Sequence, residues 1–148
     1  MAFEEILHFK RCAELLTEDG VMLLHSIVVP TAEEGEQLGL KRTMSLARFI
    51  NFIRKEIYPG GRLPMISVVD DYATAAGFDI TRHHMIGHNY VRTLDTWATA
   101  LEAHKDEAIA LKGEDEYNTF VKYLTGCREL FRDGYTNVCQ FTMEKPAA

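Results

Sequence analysis

His25, Tyr90, Cys127 and a patch formed by His83, His84 and His88 are the side chains whose types could do chemistry in this chain. His25 stands near the end of an apolar run, residues 21–29. In open α/β sheets, ligand sites gather outside the carboxyl ends of strands, and an imidazole there can exchange protons with a bound group or donate to it. Tyr90 follows a second strand-like stretch in the same way, so the two could converge on one pocket. Spacing alone favours the plainer expectation for His25, a core histidine bonded to backbone. Cys127 falls mid-helix on an apolar face, where a thiol packs as a small hydrophobe. His84 and His88, four apart, would share a helical face and suit a metal. As strand followed by loop they diverge, and no cysteine or acid stands at ligand spacing, so no metal site is expected.

Several kinds of site are missing. The chain has no Gly-x-Gly-x-x-Gly, no phosphate loop, no Gly-x-Ser-x-Gly and no His-Glu-x-x-His. Pro59-Gly60-Gly61 follows a helix rather than a strand, which is the wrong setting for a nucleotide loop. With 22 acidic against 16 basic residues the net charge is −6, so nucleic acid is not an expected partner. Three scattered cysteines, Cys12, Cys127 and Cys139, make no disulfide framework and fit a reducing cytoplasm. The apolar run 21–29 is interrupted by His25-Ser26 and falls far short of the ~20 residues a membrane span needs.

The elements that must position these groups alternate in type. The 148 residues, 47% hydrophobic and 26% charged, suit one folded domain rather than a disordered chain. Helical spacing runs over residues 3–16, 46–57, 64–76, 90–101 and 117–131, with a shorter helix or a break near Gly113. Residues 30–42 are polar and loop-like. Residues 21–29 form a nearly continuous apolar run, as in a strand buried on both faces. Residues 78–86 alternate weakly, with Phe78, Ile80, His84 and Ile86 in phase, and 138–144 alternate again. Helices separating strands imply the α/β class. A doubly wound sheet normally opens with a strand and a Gly-rich turn, whereas this chain opens in a helix and offers three strands. The helix 46–57 is apolar on nearly two faces, which suits deep burial or an apolar ligand.

Several segments, at consistent separations, carry a resemblance. They are Phe9-Lys10-Arg11-Cys12; Asp19-Gly20-Val21-Met22-Leu23-Leu24-His25-Ser26-Ile27; Ile57-Tyr58-Pro59-Gly60-Gly61-Arg62-Leu63-Pro64; and Asn89-Tyr90-Val91-Arg92-Thr93-Leu94-Asp95-Thr96-Trp97. Tyr123-Leu124-Thr125-Gly126-Cys127, Phe131-Arg132-Asp133-Gly134-Tyr135 and Gln140-Phe141-Thr142 complete the set. From Phe9 onward the chain resembles the C-terminal half of the mycolic acid cyclopropane synthases and mycolate methyltransferases, within the cyclopropane-fatty-acid synthase family.

The resemblance implies the C-terminal half of a class I S-adenosylmethionine methyltransferase fold. That half has about three strands, the last antiparallel and between the others, with residues 30–64 as a helical acyl-binding cap and 88–134 as helices before the last strand. It implies methyl transfer to a cis double bond of a long, mycolic-type acyl chain in lipid biosynthesis, closing a cyclopropane or giving a related product. It implies bicarbonate as proton acceptor and counter-charge, held by His25 and Tyr90. Glu4 falls at the place of a third anion-holding residue, although the stretch from Glu4 to Phe9 is shorter than in relatives. Tyr58, Tyr90, Leu94, Tyr123, Cys127 and Phe131 match positions lining the acyl tunnel. The Gly-rich loop that binds S-adenosylmethionine has no counterpart here, so this chain by itself is expected to be inactive. It is also expected to self-associate through an unpaired sheet edge at 21–29. The alternative is a non-enzymatic acyl- or partner-binding module.

Overall fold

The structure, a computed structural model, describes residues 2–146, with side chains from residue 6 onward. The elements run α1 (Ala2–Leu15), β1 (Val21–Val28), α2 (Ala32–Gln37), α3 (Met44–Phe52), a π-helical turn (Ile53–Ile57), α4 (Ile66–Ala75), β2 (Asp79–Met85), α5 (Gly87–Ala103), α6 (Lys105–Lys112), α7 (Glu114–Arg132) and β3 (Asn137–Glu144). They divide into two compact units.

The first unit holds α1, α4 and the sheet. Strand order is β1-β3-β2, with β3 antiparallel to both neighbours. The last strand therefore lies between the other two, as the resemblance implies, and β1 is an edge strand of the described sheet. One face of the sheet carries the core. Val28, Cys139, Phe141 and Met143 pack there against Phe9 of α1, Val69 and Ala73 of α4, and Phe78. Phe78, Phe141 and Met143 are the largest wholly buried side chains, each worth roughly 1.5–3 kcal/mol of hydrophobic stabilisation.

β1 is not buried on both faces. Its residues alternate, with Val21 (58% exposed), Leu23 (59%), His25 and Ile27 outward and Met22, Leu24, Ser26 and Val28 turned to the core. Its composition suits cover on both sides, but the helices of this unit cover only one. β2 departs from simple alternation for a local reason. A bulge between Ile80 and Arg82 places Thr81 outside the pairing, and its hydroxyl bonds the Glu144 carboxylate at 3.1 Å. An extra residue reverses the facing of all that follow. Ile80 pairs with Met143 on the core face, whereas His84 pairs with Gln140 on the opposite face. Ile80 and His84, expected in phase, lie on opposite faces.

The second unit comprises Ala32–Arg62 and Gly87–Thr136, and is helical throughout. α5 and α7 are its long helices, joined by Arg128, which bonds Asp95 at 2.7 Å. α2 occupies part of the stretch expected as loop. Glu33 and Glu34 in its first turn suit the positive end of the helix dipole, but it has no apolar stripe to announce it. The helix expected over 46–57 is α3 with a change of pitch, since Tyr58 N–H bonds back to the Ile53 carbonyl at 2.8 Å. In the first unit, Pro64 does not open α4. Its carbonyl accepts from Val29 N–H at 3.0 Å, and the helix starts two residues later.

Candidate functional site

His25 lies inside β1 rather than at its end, and it is exposed rather than in the core. The β1–β3 register sets it opposite Gln140, whose Nε2 lies 3.4 Å from His25 Nδ1. β1 and β2 are not neighbouring strands, because β3 separates them. The side chain of Glu4 lies outside the described residues.

The histidine patch splits three ways. His83 faces the core side, with its ring edge-on to Phe141 at 5.2 Å and Nε2 2.8 Å from the Asp70 carboxylate. His84 faces the other side, with Nδ1 3.3 Å from Gln140 Oε1. His88 stands in the first turn of α5. Among the described residues, no three His, Cys, Asp or Glu side chains form a metal-binding group.

The remaining candidates lie in the helical unit. Tyr90 is in the first turn of α5, half-buried, with its ring stacked on Phe131 of α7 at 5.3 Å. Leu94, one turn on, is buried in the core of this unit. Tyr58, which follows the π-helical turn, meets Tyr123 of α7 with its ring edge-on at 6.2 Å and the hydroxyls 3.4 Å apart. Burial raises the Tyr123 phenol above its ordinary range, reinforced by the bond to Tyr58 and the nearby Cys127 thiol. Cys127 follows one helical turn after Tyr123, and burial alone pushes its thiol from 9.0 up to about 12. A thiol so placed is a packing group and not a nucleophile. The structure thus joins Tyr58 with Tyr123 and Tyr90 with Phe131 in two aromatic pairs. That chemistry suits an acyl chain.

Sequence reasoning missed two groups. Gln140 stands in a segment that carries the resemblance but gave no signal of a role, since it is 115 residues from His25 and sits in an ordinary alternating strand. A shallow depression of about 440 Å³ on α5, lined by His88, Asn89, Arg92, Thr93, Thr96 and Trp97, includes none of the candidates for the acyl chain or the anion. It is open to solvent.

The antiparallel last strand inserted between two others, with helices on the core face, is an arrangement shared with solved methyltransferases. A phosphoethanolamine N-methyltransferase from Haemonchus contortus shares that fold at 17% identity, with a TM-score of 0.70. Closer relatives narrow it. The family model for mycolic acid cyclopropane synthetase matches residues 4–141, and the chain belongs to that family. It is 61% identical over 137 residues to cyclopropane mycolic acid synthase 2 of Mycobacterium leprae, covering 93% of this chain and 44% of the relative. The solved cyclopropane synthase MmaA2 of Mycobacterium tuberculosis superposes with a TM-score of 0.94 at 45% identity, over 97% of this chain and 50% of that one. The cyclopropane synthase CmaA1, solved with SAH and CTAB, superposes at 0.89 with 46% identity, over 96% and 50%. The chain spans about half the length of the relatives it matches.

Proposed function

We propose that this chain forms the acyl- and anion-handling part of an S-adenosylmethionine-dependent methyltransferase. The enzyme acts on a cis double bond of a long mycolic-type acyl chain in lipid biosynthesis, giving a cyclopropane or a related product. The 61% identity to a cyclopropane mycolic acid synthase carries this reading. Tyr58, Leu94, Tyr123, Cys127 and Phe131, with Tyr90, line the acyl chain; their aromatic and apolar character is what a cationic intermediate requires of its walls. Residues 30–64 serve as its helical cap, and 88–134 are the helical segment before the last strand.

His25 and Tyr90 hold bicarbonate, and Glu4 is a third candidate. The donor set fits, since an imidazole N–H and a phenol O–H both donate to an oxyanion. Bound there, bicarbonate supplies a negative charge and a proton acceptor. The fit fails for S-adenosylmethionine: no Gly-rich turn follows any strand of this sequence.

Two further expectations belong to this reading. The protein works in the cytoplasm, as its three free cysteines suit, and no helix among the described residues is long and apolar enough to cross a membrane. Alone, the chain self-associates through β1, an edge strand of the described sheet on which Val21 and Leu23 are exposed.

A chimaera tests the assignment, with this chain replacing the matching part of the Mycobacterium leprae synthase. Given S-adenosylmethionine and a cis-olefinic acyl substrate, it should form methylated product, while this chain alone neither turns over nor binds the cofactor in a calorimeter. A folded chimaera that binds S-adenosylmethionine yet makes no product overturns the reading.

A further inference from the structure

Charge is unevenly placed in this chain. Six of its 16 lysines and arginines, Lys41, Arg42, Arg48, Arg54, Lys55 and Arg62, fall in a stretch that holds one acid, Glu56. A protein of net charge −6 thus carries a strongly basic segment. All six cations are exposed, and none makes an ion pair or a side-chain hydrogen bond among the described residues. Elsewhere Arg11, Arg128, Arg132 and Lys145 each meet a carboxylate. The segment is held in place. Thr43 caps α3, accepting from Leu46 N–H at 3.1 Å, and Tyr135 donates to the Lys41 carbonyl at 2.8 Å. Gly60 N–H bonds back to the Arg54 carbonyl at 3.3 Å, which folds the approach to Arg62 onto the end of the helical stretch. α3 turns Phe49 toward Gly126 of α7 and Phe52 under Lys122. Its other side is exposed at Met44, Ala47, Arg48, Ile50 and Asn51, and runs on into Arg54. Met44 is 71% exposed and Ile50 43%. The acids of α2, Glu33, Glu34 and Glu36, belong to a separate helix that ends before Gly39.

We propose that the outer side of α3, with its flanks from Lys41 to Arg62, is a membrane-surface site for anionic phospholipid. The cations meet the headgroups, and Met44 and Ile50 enter the boundary between headgroups and acyl chains. Unpaired Lys and Arg interleaved with large apolar side chains on one helix face are what an anionic bilayer surface binds. An acidic protein would satisfy the cations as well. The bilayer is favoured because apolar and basic side chains alternate over this face, whereas protein interfaces gather an apolar centre inside a polar rim. The site stands without the methyltransferase reading. Joined to that reading, it sets exposed Tyr58, one of the acyl-lining residues, at the end of a lipid-facing segment.

Flotation of the full chain with lipid vesicles tests the site, because bound protein rises with the vesicles and self-associated protein does not. Vesicles of phosphatidylcholine with about one-third phosphatidylglycerol should bind the chain at least about tenfold more tightly than phosphatidylcholine alone, and less tightly as salt is raised. Each cation near such a surface is worth about fivefold in binding, so Arg48→Gln with Arg54→Gln and Lys55→Gln should weaken it about 100-fold. The same charge removed elsewhere, by Lys10→Gln with Arg82→Gln and Lys112→Gln, all exposed positions, should weaken it less than about threefold. Met44→Ser with Ile50→Ser keeps every charge and should weaken it about tenfold, since two apolar side chains no longer enter the lipid. No binding, equal binding to neutral and anionic vesicles, or equal loss in the two glutamine sets overturns the site. Vesicle binding indifferent to the serine changes, with soluble polyglutamate bound as tightly, shows a surface for acidic macromolecules and overturns the membrane proposal.

Discussion

Replacing Gly126 with alanine tests how the α3 segment is seated on α7. A glycine inside a helix costs ~1 kcal/mol relative to alanine, so Gly126 of α7 forgoes that stability for some gain. The gain is a close approach. A Cβ built at Gly126 would lie within the contact surface of the Phe49 ring, against Cζ, Cε2 and Cε1, the last at 2.8 Å. Phe49 is held from the other side by Phe52, stacked at 5.8 Å, and Phe52 in turn lies under Lys122, one turn of α7 before Gly126, with Nζ 4.0 Å from the ring centre. The ring cannot swing away without disturbing that stack, and overpacking of this kind costs ~1–3 kcal/mol. Set against the propensity gain, Gly126→Ala should destabilise by ~0–2 kcal/mol. That range includes zero, so the single variant decides little. The decisive comparison uses Phe49→Leu, since leucine lacks the ring atoms that clash. In that background Gly126→Ala should stabilise by ~1 kcal/mol, giving a coupling energy of ~1–3 kcal/mol in a double-mutant cycle. Urea unfolding of the four proteins measures it. If Gly126→Ala stabilises the wild type and the Phe49→Leu variant equally, the close approach is not what the glycine is for.

In the active chimaera, His25→Ala should cut turnover by about 100-fold or more and Tyr90→Phe by at least about tenfold, as expected on losing donors to a charged group; near-normal turnover in both sinks the site assignment. Cys127, with its thiol pushed up to about 12, should react with iodoacetamide at pH 8 about a thousandfold more slowly than an ordinary thiol, because only the thiolate attacks and it is correspondingly scarcer; alkylation at the ordinary rate refutes its burial. The raised thiol also has a sign for stability: the folded chain keeps the Cys127 proton that the unfolded chain releases from about pH 9, so stability holds below that pH and falls as pH rises toward 12, with the raised Tyr123 adding to the loss. Urea midpoints that rise from pH 9 to 11 contradict it. Leu23→Lys, a charge in the middle of the exposed β1 face, should shift the isolated chain toward monomer in light scattering, and a wild type that is already a monodisperse monomer removes the reason for the experiment.

What could be read in the residues follows from what is local. Five helices and two strands announce themselves because a packed face repeats its apolar residues at the period of its own element, and β1 announces itself as a short apolar run. α2 escapes because Ala32–Gln37 buries nothing, and periodicity reports burial rather than helix as such. The π-helical turn escapes because Ile53 and Ile57 suit either pitch, and only the bond from Tyr58 reveals the change. The bulge escapes because an extra residue leaves no mark on composition, yet it decides which histidine faces which side. The exposure of His25 could not be read at all. An apolar run looks the same whether one face or both are covered, and cover is a property of the other segments.

The sheet face opposite the core ties these misses together. Val21, Leu23 and Ile27 are residues suited to burial, and they share that face with His25, Gln140 and His84. An exposed apolar strand is a liability a stable monomer rarely keeps, while an imidazole–amide–imidazole row is worth little to a water-covered surface, where each hydrogen bond merely exchanges with solvent. Both features gain value when the face is covered. Burial makes Leu23 and Val21 stabilising, each roughly 1.5–3 kcal/mol if complete, and it strengthens the two Gln140 bonds by excluding competing water. A further consequence can be measured. In the folded chimaera the His25 and His84 ring protons should exchange with water at least about tenfold more slowly than in this chain alone, since exchange follows access to solvent. Equal exchange in the two proteins would mean that the face stays wet, and that its apolar residues serve something other than cover.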